Sequence, residues 1–496
     1  MRLLSTTAIL ICSTAVNLIQ TSSSLAQDPA QDPVQDIEES SPQTQMSVGV
    51  GTVTMDGETF QQVSFRPEIP IGKFGIGLDF TLYFDADGNI RGNGWDEAAD
   101  IIDKIRYLRY AHPGDPLYFR AGALDDVTIG YGILMKHYAN SVEYPAVKRL
   151  GLDFEIQRAG FQVEGMFNNF RELTEPGLFA IRVSRPLVGN LSIGAAVVAD
   201  GNQFANLSDA DDDDVPDELD RFPGDDDEQV YEWLQSLYDN FPAAYDGLRG
   251  QYPEWPEDPT TATPDYTPGS APITALSLDV GYPLLFDKLH LYAQGAHFLT
   301  HGFGITAPGA VFTPFPSLTV GAEYRYYTDE FLPEYFDRTY ELTRSTVVNS
   351  NNGRTLASRE TTMLDSARAA QGIYASMRFK LLSLLYTELS YSSMHPINEG
   401  SSTSSVWGSV GLSMARIPKL TELSAYYYQA NAEKMFILEP DALPIWGYRI
   451  GYEISSGVNL MLNYRYTYRD LDGDGTISGN AEMVRTFAIE SSFVIN

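Results

Sequence analysis

The stretch 150–168, LGLDFEIQRAGFQVEGMFN, decides how the rest of the chain is read. In its first half Leu150, Leu152, Phe154 and Ile156 alternate with Gly151, Asp153, Glu155 and Gln157. In its second half Phe161, Val163, Gly165 and Phe167 alternate with Gln162, Glu164, Met166 and Asn168, and Arg158-Ala159-Gly160 separates the two. A period of two sends successive side chains to opposite faces of a strand. The stretch therefore reads as a hairpin with one apolar face and one polar, carboxylate-bearing face.

The pattern recurs on both sides. Phe179, Ile181 and Val183 alternate with Ala180, Arg182 and Ser184; Leu276, Leu278, Val280 and Tyr282 with Ser277 and Asp279; Leu318, Val320, Ala322 and Tyr324 with Thr319, Glu323 and Arg325. Leu385, Leu389 and Tyr391 oppose Tyr386, Glu388 and Ser390, and Leu460, Leu462, Tyr464 and Tyr466 oppose Asn459, Asn463 and Arg465. The connections alternate as well. Short turns fall at 70–73, 158–160, 186–190, 283–288, 314–316, 381–383, 417–419 and 455–457. Longer polar loops fall between them, at 85–103, 137–147, 168–176, 200–271, 328–370, 394–404, 430–443 and 470–482. An up-and-down antiparallel barrel with one tight rim and one elaborated rim makes this rhythm. The count of turns predicts an all-β transmembrane barrel of about 16 to 20 strands, with about 18 the best fit. Tyr and Phe gather near strand ends, as in Tyr426-Tyr427-Tyr428, where interfacial girdles of a membrane barrel lie.

On these features residues 46–496 resemble the Gram-negative outer-membrane β-barrels of porin-like size, with no motif that points to one named family. The resemblance implies short periplasmic turns, long extracellular loops, and contact with outer-membrane lipid and lipopolysaccharide. It also implies insertion by the barrel-assembly machinery. The last segment, Met483–Ile495, is strand-like, although the chain ends on Asn496 rather than on an aromatic residue.

The address agrees. Met1-Arg2, a mostly apolar run to Ile19 and the small residues of Ser24-Leu25-Ala26 predict a secretory signal peptide over 1–26. Cys12, the one cysteine of the chain, lies inside it, so the exported part is held without disulfides. Residues 27–45, with their Gln-Asp-Pro repeats, read as a disordered periplasmic linker. The formal net charge of -33 excludes nucleic acid as a partner, since phosphate binding needs clustered Lys and Arg.

Carboxylates are densest in Ser208–Glu228, SDADDDDVPDELDRFPGDDDE, inside the long loop 200–271. Asp209, Asp211, Asp213, Asp217 and Asp220 are spaced as in a calcium-binding loop and resemble a thrombospondin type 3 repeat; alternate carboxylates on a turning chain supply oxygen ligands to Ca2+. Asp470, Asp472 and Asp474, followed by Gly475, resemble the first half of an EF-hand loop whose second half is missing. Asp85, Asp87 and Asn89 are a weaker third version. A solvated acidic loop is the plain alternative for all three. Val230–Leu237 and Trp95–Ile105 are candidate amphipathic helices on the loops.

The polar strand face carries both signs of charge: Asp79, Asp153, Glu155, Glu164, Arg182, Asp279, Glu323, Arg325, Arg378, Lys380, Glu388, Arg449, Glu453, Arg465 and Arg469. These are the candidate pore-lining residues; in a barrel without a pore they form an internal ion-pair network instead. Three readings fit this chain. The first is a channel for small solutes, narrowed by loops that fold inward, with loop 200–271 as a candidate gate. The second is a non-conducting surface barrel whose calcium-bound loops make contacts. The third is a hydrolase, which the pair His297 and His301 on one strand face, with Thr300 between, motivates but for which no nucleophile motif stands out. No catalytic residues are assigned.

Overall fold

The structure, a computed structural model, describes residues 44–55, 58–90, 104–144, 147–170, 177–205, 207, 227–250, 255–256, 270–350, 353–381, 384–398, 400–413, 419–436, 444–455, 458–468 and 483–495. The strands of the first half are β1 (Thr44–Met55), β2 (Glu58–Ile71), β3 (Phe74–Leu78), β4 (Phe80–Phe84), β5 (Ile105–Tyr110), β6 (Leu117–Gly122), β7 (Gly151–Arg158), β8 (Phe161–Phe167), β9 (Leu178–Val188) and β10 (Leu191–Asp200). The second half continues with β11 (Ile273–Leu284), β12 (Leu289–Phe298), β13 (Phe303–Phe315), β14 (Leu318–Tyr327), β15 (Ser345–Ser350), β16 (Gly353–Ser358), β17 (Ala370–Leu381) and β18 (Leu385–Pro396). It ends with β19 (Thr403–Ser413), β20 (Leu420–Ala432), β21 (Ile445–Ser455), β22 (Val458–Tyr468) and β23 (Met483–Ile495). Among the described residues three α-helices lie between strands, α1 (Asp227–Asn240), α2 (Pro242–Arg249) and α3 (Tyr340–Thr343), with one π-helical turn at Glu360–Leu364.

Each wall strand pairs antiparallel with its neighbour in sequence, and β23 returns to pair with β1, Met46 opposite Phe493 and Val50 opposite Ile489. The sheet is closed. β3 and β4 lie end to end along β2, parted at Asp79, and fill one place in the wall. β15 and β16 form a separate hairpin between β14 and β17. The wall thus has 20 strands, built from the strands of one sheet. The turns near 158–160, 186–190, 283–288 and 314–316 fall on one rim, together with Thr44 and Ile495, and the long loops on the other. The two strands beyond the best-fit count are β5 and β6. They are short, IRYLRY and LYFRAG, and Arg106, Arg109 and Arg120 interrupt their apolar alternation, so periodicity does not isolate them.

Parity is as the hairpin 150–168 predicts. Along β11, Ala275, Ser277, Asp279 and Gly281 are buried while Leu276, Leu278, Val280 and Tyr282 are exposed, Leu278 by 70%. Val63, Phe65, Ile305, Val320, Ile373, Leu389, Val410 and Ile450 are exposed in the same way around the wall. An apolar outer band over a polar inner face is stable only in lipid, and a closed barrel leaves no unpaired edge there. The even strand number and the one short-turn rim are those of a bacterial outer-membrane barrel. No helix among the described residues is long and apolar enough to cross a membrane.

Of the loop between β10 and β11, α1, α2 and Trp255 form a small core of their own from Leu234, Tyr245 and Trp255. The helix expected at Val230–Leu237 is the middle of α1. Of the other expected helix, residues 95–103 lie outside the described residues and Ile105 opens β5. The signal peptide expected over 1–26 and the expected linker as far as residue 43 also lie outside them, and Thr44 and Gln45 already belong to β1.

The outward face yields a direct test. Leu278→Arg, at the middle of β11, is expected to lower the stability of the barrel refolded in phospholipid by about 2–4 kcal/mol, measured by denaturant titration. Leu278→Ile is expected to be close to neutral.

Candidate functional site: the lumen and two inward loops

Two loops of the long-loop rim turn back into the barrel. The first, 123–150 between β6 and β7, carries Leu124, Val127, Ile129, Ile133, Leu134, Met135 and Tyr138, all buried. The second, 328–369 between β14 and β17, carries Phe331, Tyr335, Phe336, Tyr340 and Leu364, also buried. These side chains pack with Met166, Leu178, Ala180, Ala196, Val198, Ile273, Ala275, Ala296 and Phe298 of the inner wall. Several of those wall residues are small, which leaves room for the loops. A buried loop must satisfy its backbone. In the first loop Val127 and Tyr138 exchange N–H···O=C bonds of 2.8 and 3.0 Å. The two loops also join each other: Glu334 N–H donates to Ile133 O at 2.9 Å, and Phe336 N–H to Leu134 O at 3.0 Å.

The tip of the first loop reaches far down the wall. Gly130 N–H donates to Glu164 at 3.0 Å, and Ile133 N–H to the Gln294 side chain at 3.2 Å. Tyr131 stacks on Tyr292, centroids 4.0 Å apart, and its hydroxyl lies 2.7 Å from His290 Nε2, one residue from the short-turn end of β12. Gly130 has φ +60°, and a Cβ there would stand 3.0 Å from Arg182 Cδ, so the approach requires glycine.

The charged residues of the polar strand face are distributed along this lining. Arg182 forks Asp279 at 2.8 and 2.9 Å and reaches Glu164 at 2.7 Å. Arg325 meets Glu323 at 2.6 Å and Glu334 of the second loop at 2.9 Å. Lys136 lies 3.6 Å from the same Glu334, and the ring of Tyr374 lies under both cations, at 3.7 Å from Lys136 and 4.1 Å from Arg325. Burial pushes the Glu334 carboxyl up, but Arg325 and Lys136 outweigh it and hold the group below its ordinary range. Arg378 pairs with Glu388 at 3.1 Å and Arg449 with Glu422 at 3.5 Å. Asp79 takes Arg66 at 3.1 Å. Glu155 accepts from Gly114 N–H at 3.0 Å, and Asp153, opposite Arg120 in register, accepts from the Tyr118 hydroxyl. Arg465 donates to the Ser141 carbonyl at 3.2 Å, and its Nη2 is buried without a hydrogen-bond partner among the described residues. Glu453 and Lys380 sit near the short-turn ends of β21 and β17. Arg469 lies outside the described residues.

The strongest buried pairs involve residues to which the sequence assigned no role. Asp200, the last residue of β10, receives Arg344 at 2.7 and 2.9 Å and the Tyr340 hydroxyl at 2.6 Å, and the Asp200 and Arg344 side chains are both fully buried. Arg149 of the first loop lies 2.6 Å from Glu143 and 3.4 Å from Glu341 of α3, which also accepts from Tyr138. Burial raises the Glu341 carboxyl, and Arg149 and Arg344 more than reverse that, leaving it lowered. Arg359 lies 3.3 Å from Asp337, which accepts from Tyr428 of β20 at 2.8 Å. The available signal was aromatic density in a loop: FLPEYFDRTYEL, 331–342, is too apolar to be a solvated connection.

Three sequence expectations change. The loops that fold inward are 123–150 and 328–369, whereas the helical part of 200–271 packs on itself. His301 does not share a strand face with His297: β12 ends at Phe298, and His301 stands in the connection to β13, 2.7 Å from Thr300 Oγ1 and 3.0 Å from Asp365. Asp85 closes a tight turn, accepting Asp87 N–H at 2.9 Å and Asn89 N–H at 2.8 Å, so its oxygens serve the turn. The calcium candidates Asp209, Asp211, Asp213, Asp217, Asp220, Asp470, Asp472 and Asp474 lie outside the described residues, and no metal-ligand cluster occurs among those described.

No protein-family model matches the chain, and no curated protein matches it in sequence. Solved structures align over most of its length at low score. The outer membrane protein opdK of Pseudomonas aeruginosa has 9% identity and a TM-score of 0.30, over 92% of this chain and 99% of that one. A BenF-like porin of Pseudomonas fluorescens Pf-5 has 10% and 0.31, over 92% and 99%. The FrpB iron transporter of Neisseria meningitidis has 8% and 0.32, over 92% and 83%. Likeness at this level assigns no relative, and the functional reading rests on the barrel itself.

Removing one partner of a fully buried ion pair strands the other. Asp200→Ala is expected to cost about 3–5 kcal/mol and to expose the second loop to limited proteolysis, while Asp200→Leu combined with Arg344→Met recovers part of the loss in the same denaturant titration.

Proposed function

We propose that this protein is an outer-membrane channel for the passive or selective passage of small solutes, its lumen narrowed by the loops 123–150 and 328–369. The observation that carries the reading is a 20-strand wall with a polar inner face of both charge signs. Barrels of about 16 to 18 strands leave an aqueous channel, and wider ones are obstructed by inserted segments rather than by wall side chains. A wall of 20 strands, slightly wider than those channels and carrying inward loops, supports restricted passage. The inner wall carries Arg182, Arg325, Arg378, Arg449 and Arg465 beside Asp153, Glu155, Glu164, Asp279, Glu323, Glu388 and Glu453, of which Arg182, Arg325, Glu164, Asp279, Glu323 and Glu388 are buried. Most of these guanidinium groups are bound to carboxylates; Arg465 has only a carbonyl among the described residues.

Purified protein in a planar lipid bilayer is expected to give discrete conductance steps. Arg465→Glu is expected to move the reversal potential in a salt gradient toward cation preference without abolishing the steps. An absence of steps in the wild-type protein at every voltage rejects the channel.

The self-packed core of α1, α2 and Trp255 favours a second reading, in which loop 200–271 is a contact module on the cell surface. In that role the carboxylates of Asp209 to Asp220 and of Asp470 to Asp474 hold Ca2+ at the millimolar level outside the cell, bridging to lipopolysaccharide or a neighbouring surface. Calorimetry is expected to show binding with a Kd on the order of 10⁻⁴–10⁻³ M, lost on deletion of 206–271 apart from the site at 470–474. Unchanged conductance in that deletion separates the module from the pore.

A further inference from the structure

One cluster in the lumen joins both inward loops to the wall at a histidine. His137, in the first inward loop, places Nδ1 at 3.0 Å from both Oδ1 and Oδ2 of Asp126 in the same loop. Its ring stacks on the indole of Trp407 in β19, centroids 5.3 Å apart. Arg338, from the second loop, covers the same indole at 4.5 Å and lies 3.6 Å from the same Asp126. One wall residue, one carboxylate and two cations from two different loops therefore meet at a single point. His137 also has φ +53°, a left-handed backbone that a residue with a Cβ seldom adopts. The contacts of its ring compensate that conformation, and they depend on the ring.

The surroundings are charged on every side. Lys136 precedes it and lowers the imidazole's proton affinity, Glu388 of β18 raises it, and Arg378 of β17 acts on Asp126. Glu334 of the second loop also faces it. Among side chains that titrate near neutrality, imidazole is the one whose loss of charge converts this cluster from two cations on a carboxylate and an indole to one. An imidazolium over an indole face and against a carboxylate gains both cation–π and ionic attraction, and a neutral ring gains neither in full.

We propose that His137 is a protonation latch: charged, it fastens the first inward loop to Trp407 and, through Asp126, to Arg338 of the second loop; neutral, it lets the first loop loosen from the wall. The direction of the titration agrees. Burial pulls the His137 pKa down, but the charge of Asp126 and its hydrogen bond outweigh burial, so the group rises above its ordinary 6.5. Burial likewise raises the Asp126 carboxyl, and His137 and then Arg338 bring it below its ordinary 3.8. A raised imidazole contributes stability that is fully present below the ordinary value and is lost as pH climbs through the raised one. A lowered carboxyl contributes stability that is lost only as pH falls through its lowered value. The latch is closed between those limits and opens on the alkaline side.

The consequence for conduction rests on the channel reading, whereas the latch does not. Hydrogen–deuterium exchange of 124–142 in the full-length protein, corrected for intrinsic rates and followed from about pH 5 to about pH 9, reads the latch directly. Bilayer conductance over the same range reads the pore. Wild-type protein is expected to lose protection in this segment severalfold as pH rises, with a parallel gain in conductance. His137→Gln is expected to show weak protection at every pH and no step. Protection that is flat across the range in the wild-type protein, or a step that survives in His137→Gln, overturns the latch. The wild-type profile is decisive by itself if the variant does not refold. A pH-dependent loss of protection without any conductance at any pH supports the latch and rejects the channel instead.

Discussion

The structure depends on one requirement: in lipid no backbone N–H or C=O can be left unpaired, so the first strand must find the last. β1 and β23 meet over Thr44–Val53 and Thr486–Ile495, the largest sequence separation in the chain. The seam is close. A Cβ on Gly51 would lie 2.4 Å from the Phe487 carbonyl and 2.6 Å from Ala488 Cα. Its register sets the parity of every strand, because a slip by one residue exchanges the two faces. With the seam in place, Leu278 and its equivalents face lipid, and Asp279, Glu323 and Arg325 face inward.

That inward polarity creates the second constraint. An ion removed from water costs several kcal/mol unless it is paired and its remaining hydrogen-bonding groups are satisfied. Other wall strands supply part of the pairing, as in the fork of Arg182 in β9 on Asp279 in β11, across β10. The loops supply the rest. Glu334 completes Arg325, the Gly130 amide completes Glu164, and the Ser141 carbonyl meets Arg465. The polar wall and the inward loops therefore require each other. Apolar residues of the loops cover the small side chains near the long-loop rim, and their polar groups answer the charges lower in the wall.

The wall was legible in the sequence because its signal is local. Alternation over 150–168 and the short turns identify strands without knowledge of any distant partner. It failed at β5 and β6, which are six residues each and are interrupted by Arg106 and Arg109 in the first and Arg120 in the second. The interior was not legible for a different reason. Polar strand residues such as Arg182 and Asp279 are identified by parity, but their pairing with each other, 97 residues apart, and the loop groups that meet Arg325 and Glu164 are not, and a loop that folds inward differs from a solvated one only in composition. The apolar content of 124–138 and 331–342 was that signal, whereas the acidity of 208–228 drew attention to a loop whose described helices pack on themselves.

The two inward loops are held by unlike chemistry, and this gives them unlike roles. The second loop is fixed by guanidinium groups, Arg344 on Asp200 and Arg359 on Asp337, which stay charged at any physiological pH. The first loop has guanidinium contacts as well, Arg120 on Asp125 and Arg465 on the Ser141 carbonyl, but it also reaches the wall through a tyrosine hydroxyl on His290, two backbone amides on Glu164 and Gln294, and the ring of His137 on Trp407. A change of conditions can alter the internal equilibrium only where the two arrangements differ in the free energy of binding the agent that changes. For protons near neutrality the contact of His137 with Asp126 supplies such a difference in the first loop. The part of the second loop held by Arg344 and Arg359 is then the frame against which the first loop lies.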